Sequence, residues 1–225
     1  MTRSANKAPH PRWTDRVGLR LSKHTPYDGL TISVLEGRVE SGELATRVKS
    51  ALALLREHDP RCYRRLKADC ERIWVRVLAG TIGGYIDGLR AICLDERFVA
   101  SHMNRDSDIA ATIVHEAMHA RLCSYGIVYG DGDSARIERA CFRREVAFAS
   151  MFPESAFITK VKHLQALPDT AWSPHNLNML RLEAMPGALN YLGTSSFSTS
   201  LLVLLARLIS WSGTILQRVR RGRAA

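Results

Sequence analysis

Two histidines stand four residues apart, with a glutamate directly after the first, in the pentapeptide HEAMH: His115, Glu116 and His119. On an α-helix, positions i and i+4 share a face with Cβ atoms about 5–6 Å apart. Both imidazoles can therefore turn one nitrogen toward a single ion at about 2.0–2.1 Å. Glu116 points about 100° around the same helix, too far round to complete the ligand pair but well placed to take a proton from water activated at the ion. The spacing points to metal-assisted hydrolysis, with His115 and His119 as ligands and Glu116 as general base.

The flanks support the helix this chemistry needs. Asp106, Ser107 and Asp108 offer N-cap and first-turn acids before Ile109-Ala110-Ala111-Thr112-Ile113-Val114, and the helix is predicted to run to about Tyr125. Gly126, Gly130 and Gly132 then supply a chain reversal, and a second helix is predicted from about Ser134. A catalytic zinc keeps three protein ligands and one open position, so this second helix, SARIERACFRREVAFASMFP, is expected to bring a third donor, Glu138 or Glu145. Glu138 is preferred because it lies early in the helix, near the reversal and hence near His119. Glu145 lies about 10 Å further along at 1.5 Å per residue, and reads as an outer partner of a ligand or of nearby arginines. His163, His175 or a water are the other candidates for the third position. Cys123 falls a full turn beyond the ion and reads as a buried thiol. Tyr125, Tyr129, His163 and His175 could each donate to a reaction intermediate, and none is assigned that role.

These residues resemble the zincin clan of metallopeptidases and, within it, the gluzincin branch, over roughly Ala91 to Pro153. The resemblance implies that His115, His119 and Glu138 hold one Zn2+ and that Glu116 is the catalytic glutamate. It also implies that AICLDERFV, Ala91 to Val99, is the edge strand along which zincins lay an extended substrate. The activity implied is that of a peptidase, in which water activated by Glu116 at the zinc attacks a peptide carbonyl of a protein or peptide substrate. The chain lacks the HExxHxxGxxH of the metzincins, having Leu122 and Tyr125 at the last two positions, and lacks the acidic residue that follows the third ligand in thermolysin-like enzymes. The competing expectation is a non-enzymatic zincin-like interaction protein, with a structural zinc and a basic surface for an anionic partner.

The elements that must position the motif precede it. LTISVLEG alternates like a strand, and ELATRVKSALALLREHDP sets Leu44, Val48, Ala51, Leu52, Leu54 and Leu55 at helical spacing before Pro60. A further helix is predicted from Arg61 to about Glu71. IWVRVLAG reads as a strand, and Gly83-Gly84 with Gly88 punctuate a hairpin before LRAICLDERFV. The expected fold class is α+β and zincin-like: a small mixed sheet with an edge strand beside the HExxH helix, and a helical C-terminal part. The expected domains are a basic flexible arm over 1–28, with Pro9, Pro11 and Pro26, a metallopeptidase domain over 29–196, and an amphipathic helix with a basic tail over 197–225.

A length of 225 residues with 46% hydrophobic and 24% charged content suits one sizeable core and argues against a disordered chain. The net charge of +10 implies an anionic neighbour, although the clusters Arg61, Arg64, Arg65, Lys67 and Arg136, Arg139, Arg143, Arg144 are what a solvated helix face also shows. Nucleic acid stays open as an anionic partner but no motif supports it, since no helix-turn-helix, zinc-knuckle or aromatic-interleaved basic motif is present. Five cysteines, odd in number and without a CxxC, and no apolar N-terminal run, point to a reducing cytoplasm. LLVLLARLISWSGTIL, Leu201 to Leu216, falls short of the roughly 20 apolar residues of a spanning helix and contains Arg207. Its polar stripe of Ser200, Arg207, Ser210, Thr214 and Gln217, followed by Arg218, Arg220, Arg221 and Arg223, suits a helix that lies on an anionic membrane, packs on the domain or dimerises. Peripheral membrane attachment is thus the alternative to a freely cytoplasmic protein.

Overall fold

Ile73-Trp74-Val75 and Ala91-Ile92-Cys93-Leu94 are apolar without alternation, the pattern of strands covered on both faces, and every one of these side chains is buried. In the computed structural model, which describes residues 11–35, 37, 39–78, 81–127 and 134–153, they form the middle of a mixed sheet. The elements are α1 (Trp13–Arg20), β1 (Lys23–Tyr27), β2 (Leu30–Val34), α2 (Ser41–His58), α3 (Pro60–Asp69), β3 (Arg72–Arg76), β4 (Gly83–Ile86), β5 (Ala91–Asp95), α4 (Glu96–Ala100), α5 (Asp106–Ser124) and α6 (Ser134–Ala149). The five-stranded sheet has the order β1-β2-β3-β5-β4. Its central pairs, β2 with β3 and β3 with β5, are parallel, and its two outer pairs are antiparallel. The fold is α+β, as expected.

Helix α2 buries Leu44, Val48, Ala51, Leu52 and Leu55, while Leu54, expected to face inward, is half-buried. Pro60 ends nothing by itself; it opens α3 at the first helical position, where its missing N–H costs no hydrogen bond. Asp59 caps that turn by accepting from the Cys62 N–H at 2.9 Å, and its other carboxylate oxygen is gripped by Arg144 of α6. Helix α5 is the central element, packed against α2, α3, α6, β4 and β5, and its burial is nearly continuous from Ser107 to Ala117.

Two expectations are corrected. Residues 13–27, read as part of a flexible arm, form α1 and β1, and β1 pairs with β2 along its whole length. Helix α1 docks through Leu19, packed on Trp74, Leu78 and Cys93, and through polar contacts: buried Asp15 meets Arg76 at 2.7 Å, and just past the helix Ser22 accepts from Trp74 Nε1 at 3.0 Å. Gly18 lies so close to Trp74 that a Cβ there would stand 3.2 Å from its ring. The stretch Ala91–Val99 is not the sheet edge. Its first part, β5, lies between β3 and β4, and its last part is helix α4, started when the Asp95 carboxylate accepts from Arg97 N–H (3.0 Å) and Phe98 N–H (3.3 Å). The edge beside α5 is β4, short and opening with Gly83 and Gly84.

The chain divides into two units, Met1–Pro186 and Gly187–Ala225, and the described residues all belong to the first. Among them, no helix is long and apolar enough to cross a membrane. His163, His175, Tyr129 and the helix expected over 197–225 lie outside the described residues.

Candidate metal centre

Two helices, α5 and α6, build the site. Helix α5 begins where the Asp108 carboxylate accepts from the Arg105 N–H at 2.9 Å. The Arg47 guanidinium, reaching from α2, donates to the carbonyls of Val99, Ser101 and Asn104 and pairs with Asp106 at 3.1 Å. Helix α6 packs along α5 and carries Glu138, Cys141 and Glu145. These positions are i, i+3 and i+7, which share one helical face.

That face meets the histidines. The Nε2 atoms of His115 and His119 lie 3.0 Å apart. Glu138 sets Oε2 3.4 Å from Nε2 of His115 and Oε1 3.7 Å from Nε2 of His119. Glu145 Oε2 is 2.8 Å from the other nitrogen of His115, Nδ1. Cys141 Sγ is 3.5 Å from the other nitrogen of His119, Nδ1. His115, His119 and Cys141 together bring one ligand atom each within 4.8 Å of one another, all three buried, a group able to hold a metal ion.

The electrostatics favour a cation at this place. His115, Glu116, His119, Glu138 and Glu145 are all less than a tenth exposed, and carboxylates are that deeply buried only when compensated. A carboxylate only accepts hydrogen bonds, so Glu145 leaves the proton of His115 on Nδ1. Its Nε2 faces Glu138 Oε2 at 3.4 Å and Nε2 of His119 at 3.0 Å, atoms that a shared cation, a proton or a metal ion, holds together.

Glu116 lies on a different side of α5, toward the sheet edge. A Cβ built on Gly83 of β4 would stand 2.9 Å from Glu116 Oε1 and 3.0 Å from Thr112 Cγ2, whereas one built on Gly84 would meet nothing within 4 Å. Glycine at 83 is what lets the edge strand approach the carboxylate.

The structure thus brings together His115, His119, Glu138 and Glu145, with Glu116 one face away. Cys141, which spacing on α5 could not reveal, joins them from α6. Cys123 is half-buried, outside the group that could hold a metal. Tyr125 is exposed, with its hydroxyl bonded by Arg121. Burial pushes the Cys62 thiol up to about 11 and those of Cys70 and Cys93 up to about 12, so these three stay protonated and unfit as nucleophiles near neutral pH. Of the α6 arginines, Arg136 and Arg143 are exposed while Arg144 is committed to Asp59. Comparisons with protein-family models, curated proteins and solved structures found no match for this chain, so function has to be argued from these side chains.

Proposed function

We propose that this chain is a zinc-dependent peptidase of zincin-like type, with His115, His119 and Glu138 holding one Zn2+ and Glu116 as general base. The observation that carries this is the convergence of two Nε2 atoms and one carboxylate. Their separations of 3.0, 3.4 and 3.7 Å bracket the roughly 3.3 Å between ligands held 2.0–2.1 Å from one tetrahedral ion. Two imidazoles and a glutamate are a donor set of catalytic rather than structural zinc sites. Bound there, zinc supplies a Lewis acid that acidifies water and polarises a carbonyl.

The chain's own residues supply the rest. Glu116 takes the proton from the attacking water and hands it to the leaving amine. Glu145 holds the ring of His115 in place. Strand β4, with no strand on its outer side among the described residues, offers backbone N–H and C=O groups to an extended peptide, which adds to the sheet as a further strand. Gly83 sets that peptide close to Glu116.

A second function has one observation in its favour. Were the Cys141 thiolate a fourth ligand, the site would be closed by protein on every side, as in a structural zinc centre that binds helices together. An interaction protein would then be the better description.

Metal analysis of the purified chain, combined with digestion of a peptide library by wild type and Glu116→Gln, tests the proposal. About one zinc per chain is expected in both, with cleavage by the wild type alone. A wild type without zinc overturns the metal centre. Full turnover by the Gln variant overturns the base. No cleavage by either form across the library, with zinc present, favours the interaction protein.

A further inference from the structure

Helix α6 turns three side chains toward the histidines of α5, and the proposed peptidase chemistry uses only Glu138 and Glu145. Cys141, between them on the same face, is fully buried, with its Sγ 3.5 Å from Nδ1 of His119. His119 turns its other nitrogen, Nε2, to Nε2 of His115 at 3.0 Å. The lone pairs of the two ring nitrogens diverge, so an ion between the Nε2 atoms leaves Nδ1 and the sulfur on the far side of the imidazole. His115 shows the same order with a carboxylate in place of the sulfur: Nε2 faces inward, and Nδ1 is met by Glu145 at 2.8 Å.

We infer that Cys141 is a positioning residue of the metal centre and not a ligand: its sulfur accepts the Nδ1–H of His119 and keeps the Nε2 lone pair aimed at the ion. This rests on the metal centre proposed above. A separation of 3.5 Å suits an N–H···S hydrogen bond, sulfur being a weak acceptor with a large radius. An uncharged acceptor also adds no negative charge where Glu116, Glu138 and Glu145 are already buried. The two ligand rings are then unequal, one backed by a carboxylate that raises its basicity and one by a sulfur that orients it with little electronic push. With Cys141 outside the ligand set, the ion keeps an open position for water and substrate, which separates a peptidase from a closed structural site.

Cobalt substitution of the full chain tests this, because a thiolate ligand adds an intense near-ultraviolet sulfur-to-cobalt charge-transfer band to the visible bands of a tetrahedral Co2+ site. The wild type is expected to bind Co2+ with visible bands and no sulfur band. Cys141→Ser, whose hydroxyl can accept the same hydrogen bond, should keep that spectrum and most of the affinity. Cys141→Ala should lose about 10–100-fold in Co2+ affinity, the usual effect of removing the outer partner of a ligating histidine. A sulfur band in the wild type that Cys141→Ser removes overturns the inference and makes Cys141 a ligand. Unchanged Co2+ affinity in the Ala variant overturns it as well. Should Cys141→Ala fail to fold by circular dichroism, the wild-type band and the Ser variant still decide. A wild type that takes up no cobalt overturns the metal centre and this assignment with it, whereas normal uptake with an indifferent Cys141 overturns this assignment alone.

Discussion

The Glu145 carboxylate stands 2.8 Å from Nδ1 of His115, joining α6 to α5 at a point where both side chains are almost wholly out of water. Glu138, two turns earlier on α6, faces the opposite nitrogen of the same ring at 3.4 Å. One imidazole is therefore held between two glutamates, one on the side of the proposed metal and one behind it. Removing them should have different consequences. Glu138→Ala is expected to abolish most metal binding, while Glu145→Ala should retain the metal with about 10–100-fold weaker affinity. Competition with a chromogenic chelator measures both. A reversed result would exchange the roles of the two residues.

The difference between these glutamates marks how far the sequence reaches. The spacing of His115, Glu116 and His119 is a local property of one helix, so the core of the site is legible from HEAMH alone. Which glutamate faces which nitrogen depends on how α6 crosses α5, which no spacing within either helix encodes. Cys141 is hidden for the same reason; its signal, the i, i+3, i+7 stripe of Glu138, Cys141 and Glu145, acquires meaning only once α6 is known to turn that face inward. The sheet edge is misread because β5 is the more apolar strand, whereas a real edge is short and, here, rich in glycine. Helix α1 is missed because Trp13 and Val17 face solvent while Asp15 and Gly18 face the domain and Leu19 alone adds an apolar side chain to the core, too little periodicity to reveal a helix.

Glycine at 83 keeps β4 clear of Glu116 and Thr112 on α5. A methyl there would press on Glu116 Oε1 at 2.9 Å and Thr112 Cγ2 at 3.0 Å, and one at Gly84 would meet nothing. Gly83→Ala should therefore leave metal content unchanged, lower turnover by roughly 10²-fold as the base is displaced, and cost about 1–3 kcal/mol of stability from overpacking. Gly84→Ala serves as the control, expected to be near wild type in all three measurements. Equal behaviour of the two variants would show that the approach of β4 to Glu116 has no functional weight.

The docking of α1 combines Leu19, packed on Trp74, Leu78 and Cys93, with polar contacts that include Asp15 with Arg76. Asp15 also accepts from the Arg12 N–H at 3.0 Å, so Asp15→Ala removes an ion-pair partner and the acceptor that closes the first turn. A loss of about 1–3 kcal/mol is expected, read as a lower urea midpoint, with metal affinity unaffected because the contact belongs to another part of the sheet. A midpoint equal to wild type would mean that the Asp15 contacts contribute nothing to the stability of the domain.

The buried thiols give the fold a pH dependence of definite sign. Cys62, Cys70 and Cys93 have an ordinary pKa of 9.0, and burial raises them to about 11, 12 and 12. Above pH 9 the unfolded chain releases these protons and the folded chain keeps them, so ionisation favours the unfolded state. Their contribution is intact below pH 9 and declines as the pH rises toward the folded values, by about 1.4 kcal/mol per pH unit for each thiol. Urea midpoints should accordingly fall between pH 9 and pH 11. Tyrosines and lysines titrate in the same range, so the informative measurement is the difference between wild type and Cys93→Ala. The variant starts lower at pH 8, having lost a buried side chain, and its midpoint should then decline less steeply with pH. Parallel decline in the two proteins would show that the Cys93 thiol ionises as readily in the folded chain as in the unfolded one.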